Sequence, residues 1–133
     1  MKPYACCRRI TAAAAILHAS YGASSVLLEG DAEAPIENSM LSAPSLSSTL
    51  LKVGHHGSLT STQPEFLARV APQWAVISCG LHNRYGHPRQ PVLEELQAAH
   101  VRTYRTDIGG ATCFELNGKT ATPDPTCSTS QIP

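Results

Sequence analysis

Two adjacent histidines lie between glycines in Gly54-His55-His56-Gly57-Ser58, and no other stretch of the chain concentrates so much reactive chemistry. The glycines permit close backbone approach, and two imidazoles with the Ser58 hydroxyl suit an anionic ligand. His87, in the turn Asn83-Arg84-Tyr85-Gly86-His87-Pro88, and Asp31, directly after Gly30, extend the set. A carboxylate can bridge two divalent cations and an imidazole can complete either coordination sphere, so Asp31 and His87 are parts expected of a metal-dependent hydrolase. Adjacent residues point to different sides, so His55 and His56 are not expected to share one metal. Each residue also has a plainer reading. A Gly-Asp after a strand serves as a turn or helix cap, and His87 could be a turn residue fixed by its proline. Ser58, Asn83 and Arg84 are the candidate substrate-binding residues. Arg84, Arg89, Arg102 and Arg105 surround the His87 turn in sequence and would suit phosphates, as they would suit a solvated face. His18 and His100 read as structural.

The elements that must position these residues alternate in type. Residues 16–19 and 24–29 form a hairpin with Gly22 at its turn, followed by a helix within 32–41 that carries Pro35 in its first turn. Residues 49–53 are an apolar strand that opens into the histidine pair. Thr62, with Pro64 and Glu65 after it, predicts a capping-box start to a helix that Pro72 ends. Residues 74–78 are a buried strand, a helix begins near Pro91 and closes at His100, and strands at 101–105 and 111–116 flank an Asp107-Ile108-Gly109-Gly110 turn. The order is β-β-α-β-α-β-α-β-β. Strands alternating with helices make an α/β layer, whose ligands gather in loops beyond the strand carboxyl ends. Asp31, the histidine pair and His87 all occupy such loops.

Composition narrows the classes. The chain has 133 residues, 42% apolar and 15% charged, with ten basic residues against ten acidic. Such a balance excludes full-length disorder and gives no global field toward nucleic acid or an anionic membrane. The longest apolar run, Ala12 to Leu17, falls far below the roughly 20 residues that span a bilayer. It is also shorter than the roughly 7 to 15 apolar residues of a secretory signal, which the basic start otherwise imitates. Five cysteines without a C-x-x-C pair read as buried or incidental thiols. Residues 1–15 carry no assignment, and the tail over 119–133 has little to bury and is expected to be disordered.

Three motifs together define a resemblance. GDAEAPIE at 30–37, LKVGHHGSLTST at 51–62, and VISCGLHNRYGHP at 76–88 followed by VLEEL and YRTDIGGA resemble the carboxyl-terminal part of the metallo-β-lactamase-like domain of ComEC-type DNA internalization competence proteins. The resemblance runs from about Ile16 to Leu116 and assigns 16–118 to a partial domain. It implies the second half of an αββα sandwich and a place in DNA uptake during natural transformation. It also implies a metal-dependent phosphodiesterase or nuclease site with two divalent metals, zinc or manganese. Asp31 would be the metal-bridging carboxylate and His87 the last metal-ligating histidine, with His55 or His56 catalytic beside the scissile phosphate. The full family protein is a channel in the bacterial inner membrane, whereas this chain reads as soluble.

The chain departs from the family in one large respect. The first metal-binding motif, H-x-H-x-D-H or D-x-D-H, belongs to the amino-terminal half of the sandwich and is absent here. The resemblance therefore implies half of a site, inactive by itself, whose partners are DNA, the missing amino-terminal half and the membrane channel. The alternatives are a non-catalytic assembly module that complements a separate amino-terminal half, and another phosphoesterase of the same fold.

Overall fold

The computed structural model describes residues 14–126. The readings placed on residues 1–13 and on 127–133 lie outside the described residues. Strands β1 (Leu17–Tyr21) and β2 (Ser24–Leu28) form the expected antiparallel hairpin, with Leu17 opposite Leu28 and Tyr21 opposite Ser24. Gly22 turns it at a φ of +58°, and the Gly118 backbone closes so tightly over Gly22 that a side chain there would collide with it. The Ala23 N–H donates to the Gly118 carbonyl at 2.7 Å.

From β2 the chain runs through α1 (Ala34–Met40), β3 (Leu50–Lys52), a 3-10 turn (Gly54–Gly57), α2 (Pro64–Val70), β4 (Trp74–Ile77), α3 (Gln90–Ala98) and β5 (Arg102–Arg105). The strands lie in the order β1-β2-β3-β4-β5, and β2 to β5 are mutually parallel. Parallel neighbours require a crossover, and each helix supplies one. Leu27, Leu51 and Ala75 stand in register on one sheet face, all fully buried. Phe66, Leu67 and Val70 of α2 and Val92 and Leu96 of α3 pack onto that face. Burying each such large side chain stabilises by about 1.5–3 kcal/mol. This one-sided core fixes the strand ends from which the functional loops depart.

The opposite face is only partly covered. β6 (Cys113–Leu116) and β7 (Ala121–Asp124) form a separate two-stranded sheet. Phe114 meets Trp74 and Tyr104 edge-on, with ring centroids 5.8 and 5.5 Å apart. Beyond this cluster Val26, Leu28, Leu50 and Val76 border a cavity of about 270 Å³ beneath Phe114 and Leu116. Leu17 and Leu28 stay exposed.

Four sequence expectations need correction. Residues 121–124, expected in a disordered tail, form β7, because pairing with β6 buries Ala121 and supplies a ladder that the segment's own composition does not announce. The turn expected at 107–110 is largely a single helical turn, α4 (Thr106–Gly109). The capping box of α2 does not form: Gln63 is the cap residue and makes no side-chain cap bond. Its place is taken by the buried Glu37 carboxylate of α1, which accepts the N–H groups of Thr62 and Gln63, the latter at 2.8 Å. Finally, Cys113 is disulfide-bonded, whereas Cys79 is a half-buried free thiol. Among the described residues no helix is long and apolar enough to cross a membrane.

Candidate active site

The carboxyl ends of β2, β3 and β4 form one rim, and the loops leaving them carry Asp31, His55, His56, Ser58, Asn83, Arg84 and His87, whereas Arg102 and Arg105 lie in β5. Gly30 turns the chain after β2 at a φ of +58°, and its carbonyl accepts the His55 N–H at 2.9 Å. The Asp31 loop and the histidine turn are thereby tied together. On the other side the Gly57 carbonyl accepts the Arg89 N–H at 2.9 Å, and Gly57, at a φ of +79°, lies against Pro88. The histidine turn thus bridges the Asp31 loop and the His87 loop.

Both histidines occupy the left-handed region, His55 at φ 43°, ψ 43° and His56 at φ 58°, ψ 23°. A side chain in that conformation costs about 1–2 kcal/mol per residue, and such strain concentrates at functional sites. The geometry turns the two imidazoles to different carboxylates, as expected for adjacent residues. His55 Nδ1 lies 3.1 Å from Glu33 Oε1, and His56 Nε2 lies 3.5 Å from Asp31 Oδ1. His56 Nδ1 is 2.6 Å from the Ser78 carbonyl, which can only accept, so that nitrogen carries the proton. In the neutral ring Nε2 then presents a lone pair toward a carboxylate, so two acceptors face one another.

His87 joins this group. Its ring centroid is 6.1 Å from that of His55, and its Nδ1 is buried without a hydrogen-bond partner. Burial, reinforced by Arg89, His55 and His56, holds its pKa below the ordinary histidine range. A neutral imidazole with an unclaimed lone pair is the form that binds metals. The donor chemistry therefore suits a borderline divalent cation. Even so, among the described residues no three histidine, cysteine or acidic side chains converge closely enough to hold one. The residues fit a share of a metal site.

The remaining candidates take different positions. The Asn83 amide is committed to its own loop: Nδ2 donates to the Gly80 and His87 carbonyls at 2.9 and 2.7 Å, and Oδ1 accepts the His87 N–H at 2.9 Å. It acts as a clamp that sets His87. Ser58 is buried, and its hydroxyl is engaged with the Thr60 N–H and hydroxyl. Arg84 is exposed on the same loop as His87.

Three acidic residues escaped the sequence reading. Glu33, two positions beyond Asp31, faces His55 and accepts the Thr60 hydroxyl at 2.9 Å. Its place in GDAE beside Asp31 was the available signal. Glu29 and Glu37 are fully buried beneath the rim. Gly54 stands so close to the Glu29 carboxyl and the Ala32 carbonyl that no side chain fits at that position. Burial first, and Glu37 next, push the Glu29 pKa up to about 9. At neutral pH this carboxyl is therefore a neutral acid under the histidine turn.

No family profile matches the chain. Individual relatives do. It is 39% identical over 108 residues to ComE operon protein 3 of Bacillus subtilis, covering 80% of this chain and 14% of that protein. Competence protein ComA of Neisseria gonorrhoeae is 37% identical over 103 residues, 76% of this chain and 15% of the relative. This chain is homologous to competence proteins. Recombination protein 2 of Haemophilus influenzae matches as well, at 41% identity over 90 residues, 67% of this chain and 11% of the relative. The chain thus spans about one seventh or less of the length of the curated relatives it matches.

Proposed function

We propose that this chain is the carboxyl-terminal half of a metallo-β-lactamase-like phosphodiesterase domain in a ComEC-type DNA-uptake protein. It holds a share of a divalent-metal site and is inactive as a nuclease by itself. The observation that carries the reading is the convergence of Asp31, Glu33, His55, His56 and His87 at one rim of a parallel sheet, in a chain whose homologues are competence proteins. Asp31 and His87 would donate to the cation, zinc or manganese, and the other ligands would come from the amino-terminal half. A bound cation would supply Lewis acidity toward an anionic phosphate. The chain's own residues orient and move protons. Ser78 fixes the His56 tautomer, so Nε2 is the atom that takes or returns a proton, and Glu33 holds His55 beside it. Asn83 keeps His87 in place, and Arg84 would meet the DNA backbone from the rim.

Calorimetric titration with Mn²⁺ or Zn²⁺ tests the reading. Weak binding that is lost in Asp31→Ala and His87→Ala is expected, and binding unchanged in both variants contradicts it.

The half-covered sheet face favours a second reading, a non-catalytic assembly module that completes its sandwich with a separate amino-terminal half. Val26, Leu28, Leu50 and Val76 border open volume where a packed second layer belongs. Gel filtration discriminates, because a stable, well-folded monomer with no tendency to associate counts against assembly.

A further inference from the structure

Tyr85 presents its ring to solvent beside His87 of the candidate site. It is 61% exposed, on a loop that Asn83 clamps through three hydrogen bonds. Core packing does not account for this ring, since Tyr85 has no place in the buried apolar cluster. The ring is nearly parallel to the His87 imidazole, 15° between planes and 6.0 Å between centroids. That offset leaves much of the phenol surface free. The Arg84 guanidinium carbon is 5.4 Å from the ring centroid, and its Nη2 is 3.5 Å from the Tyr85 hydroxyl. Tyr85, Asn83, Gly80, Cys79, His56 and His87 line a shallow cavity of about 180 Å³. A flat π-surface and two imidazoles therefore border one small depression, and the Arg84 guanidinium lies against the same ring.

We propose that Tyr85 is a stacking shelf for an unpaired nucleobase, placed so that the adjoining phosphate faces the histidines and Arg84. The inference rests on the DNA reading above and adds a substrate-binding residue and a strand preference to it. An aromatic side chain stacks on any base, but in a duplex the base faces are already occupied, so the shelf selects single strands. Arg84 leaves the ring for the backbone when a base takes its place. Stacking of this kind is lost when the ring is truncated and survives when only the hydroxyl is removed.

Fluorescence anisotropy with the full chain tests this, using a labelled oligothymidine and an abasic deoxyribose-phosphate strand of equal length. Tyr85→Ala weakens oligothymidine binding by about tenfold, and Tyr85→Phe matches the wild type. The abasic strand binds wild type and Tyr85→Ala alike. Equal losses on both strands, or no loss on either, overturn the shelf while leaving the DNA reading intact. Failure of the wild type to bind either strand overturns both. Because Tyr85 is exposed, matched thermal unfolding of the variants confirms that the readout is binding.

Discussion

Replacing Glu29 with glutamine tests the claim that a neutral acid supports the histidine turn. In the folded chain this carboxyl keeps its proton up to about pH 9, whereas the unfolded chain releases it near the ordinary value of 4.5. Between these values the native state binds one more proton than the unfolded state, so stability falls as pH rises. The slope is about 1.4 kcal/mol per pH unit. At pH 7, some two and a half units above the ordinary value, the cost amounts to about 3 kcal/mol. Glu37 shares the buried space, so the titration belongs to the pair. Glutamine has nearly the same shape and no proton to lose. Its variant therefore matches the wild type near pH 4.5 and exceeds it progressively at higher pH, by about 3 kcal/mol at pH 7. Urea unfolding at half-unit steps from pH 4.5 to 8.5 measures both curves. A Glu29→Gln curve that falls as steeply as the wild type would refute the reasoning, because the lost proton would then come from another group.

Other substitutions probe the rim. Asn83→Ala removes three hydrogen bonds around the His87 loop and should destabilise by about 1–3 kcal/mol in urea unfolding; it should also weaken metal binding without altering a ligand. Gly57→Ala forces a side chain onto Pro88 at a φ of +79°, and a thermal melt should show a loss of at least about 1 kcal/mol. Asp107 is held below the ordinary carboxylate range chiefly by its hydrogen bonds from Arg105, the closer at 2.7 Å. Its contribution is present above the ordinary carboxylate pKa and lost as pH falls through the lowered one. Asp107→Asn should therefore reduce stability at pH 6 and flatten the acid limb of the unfolding curve.

What could be read in the sequence follows from the range of the forces involved. Strands β2 to β4 and helices α2 and α3 announce themselves because their apolar spacing answers to a single core, with Leu51 and Phe66 marking its two sides. The histidine turn was legible from its flanking glycines, although nothing in GHHG foretells that both histidines adopt the left-handed conformation. β7 was illegible because its order comes from β6, and Ala121 is buried by partners rather than by its own hydrophobicity. The α2 cap was misassigned to Thr62 and Glu65 because the acceptor that won is Glu37, 25 residues earlier in the chain. Glu29 was passed over for a related reason. A carboxylate at a strand end reads as solvated until the fold shows what covers it. Among the candidate site residues, Asp31 and His87 were proposed from type and position, whereas the Glu33 pairing and the Asn83 clamp depend on loop geometry.

In the proposed role the rim supplies part of a metal-dependent phosphodiesterase site and needs the amino-terminal half to act. Cleavage of labelled single-stranded DNA with Mn²⁺ or Zn²⁺ measures this directly, with the purified chain alone and mixed with the segment that precedes the aligned region in the Bacillus relative. No turnover is expected from the chain alone, and cleavage is expected in the mixture and abolished by Asp31→Ala. Robust metal-dependent cleavage by the chain alone, lost in Asp31→Ala, would contradict it.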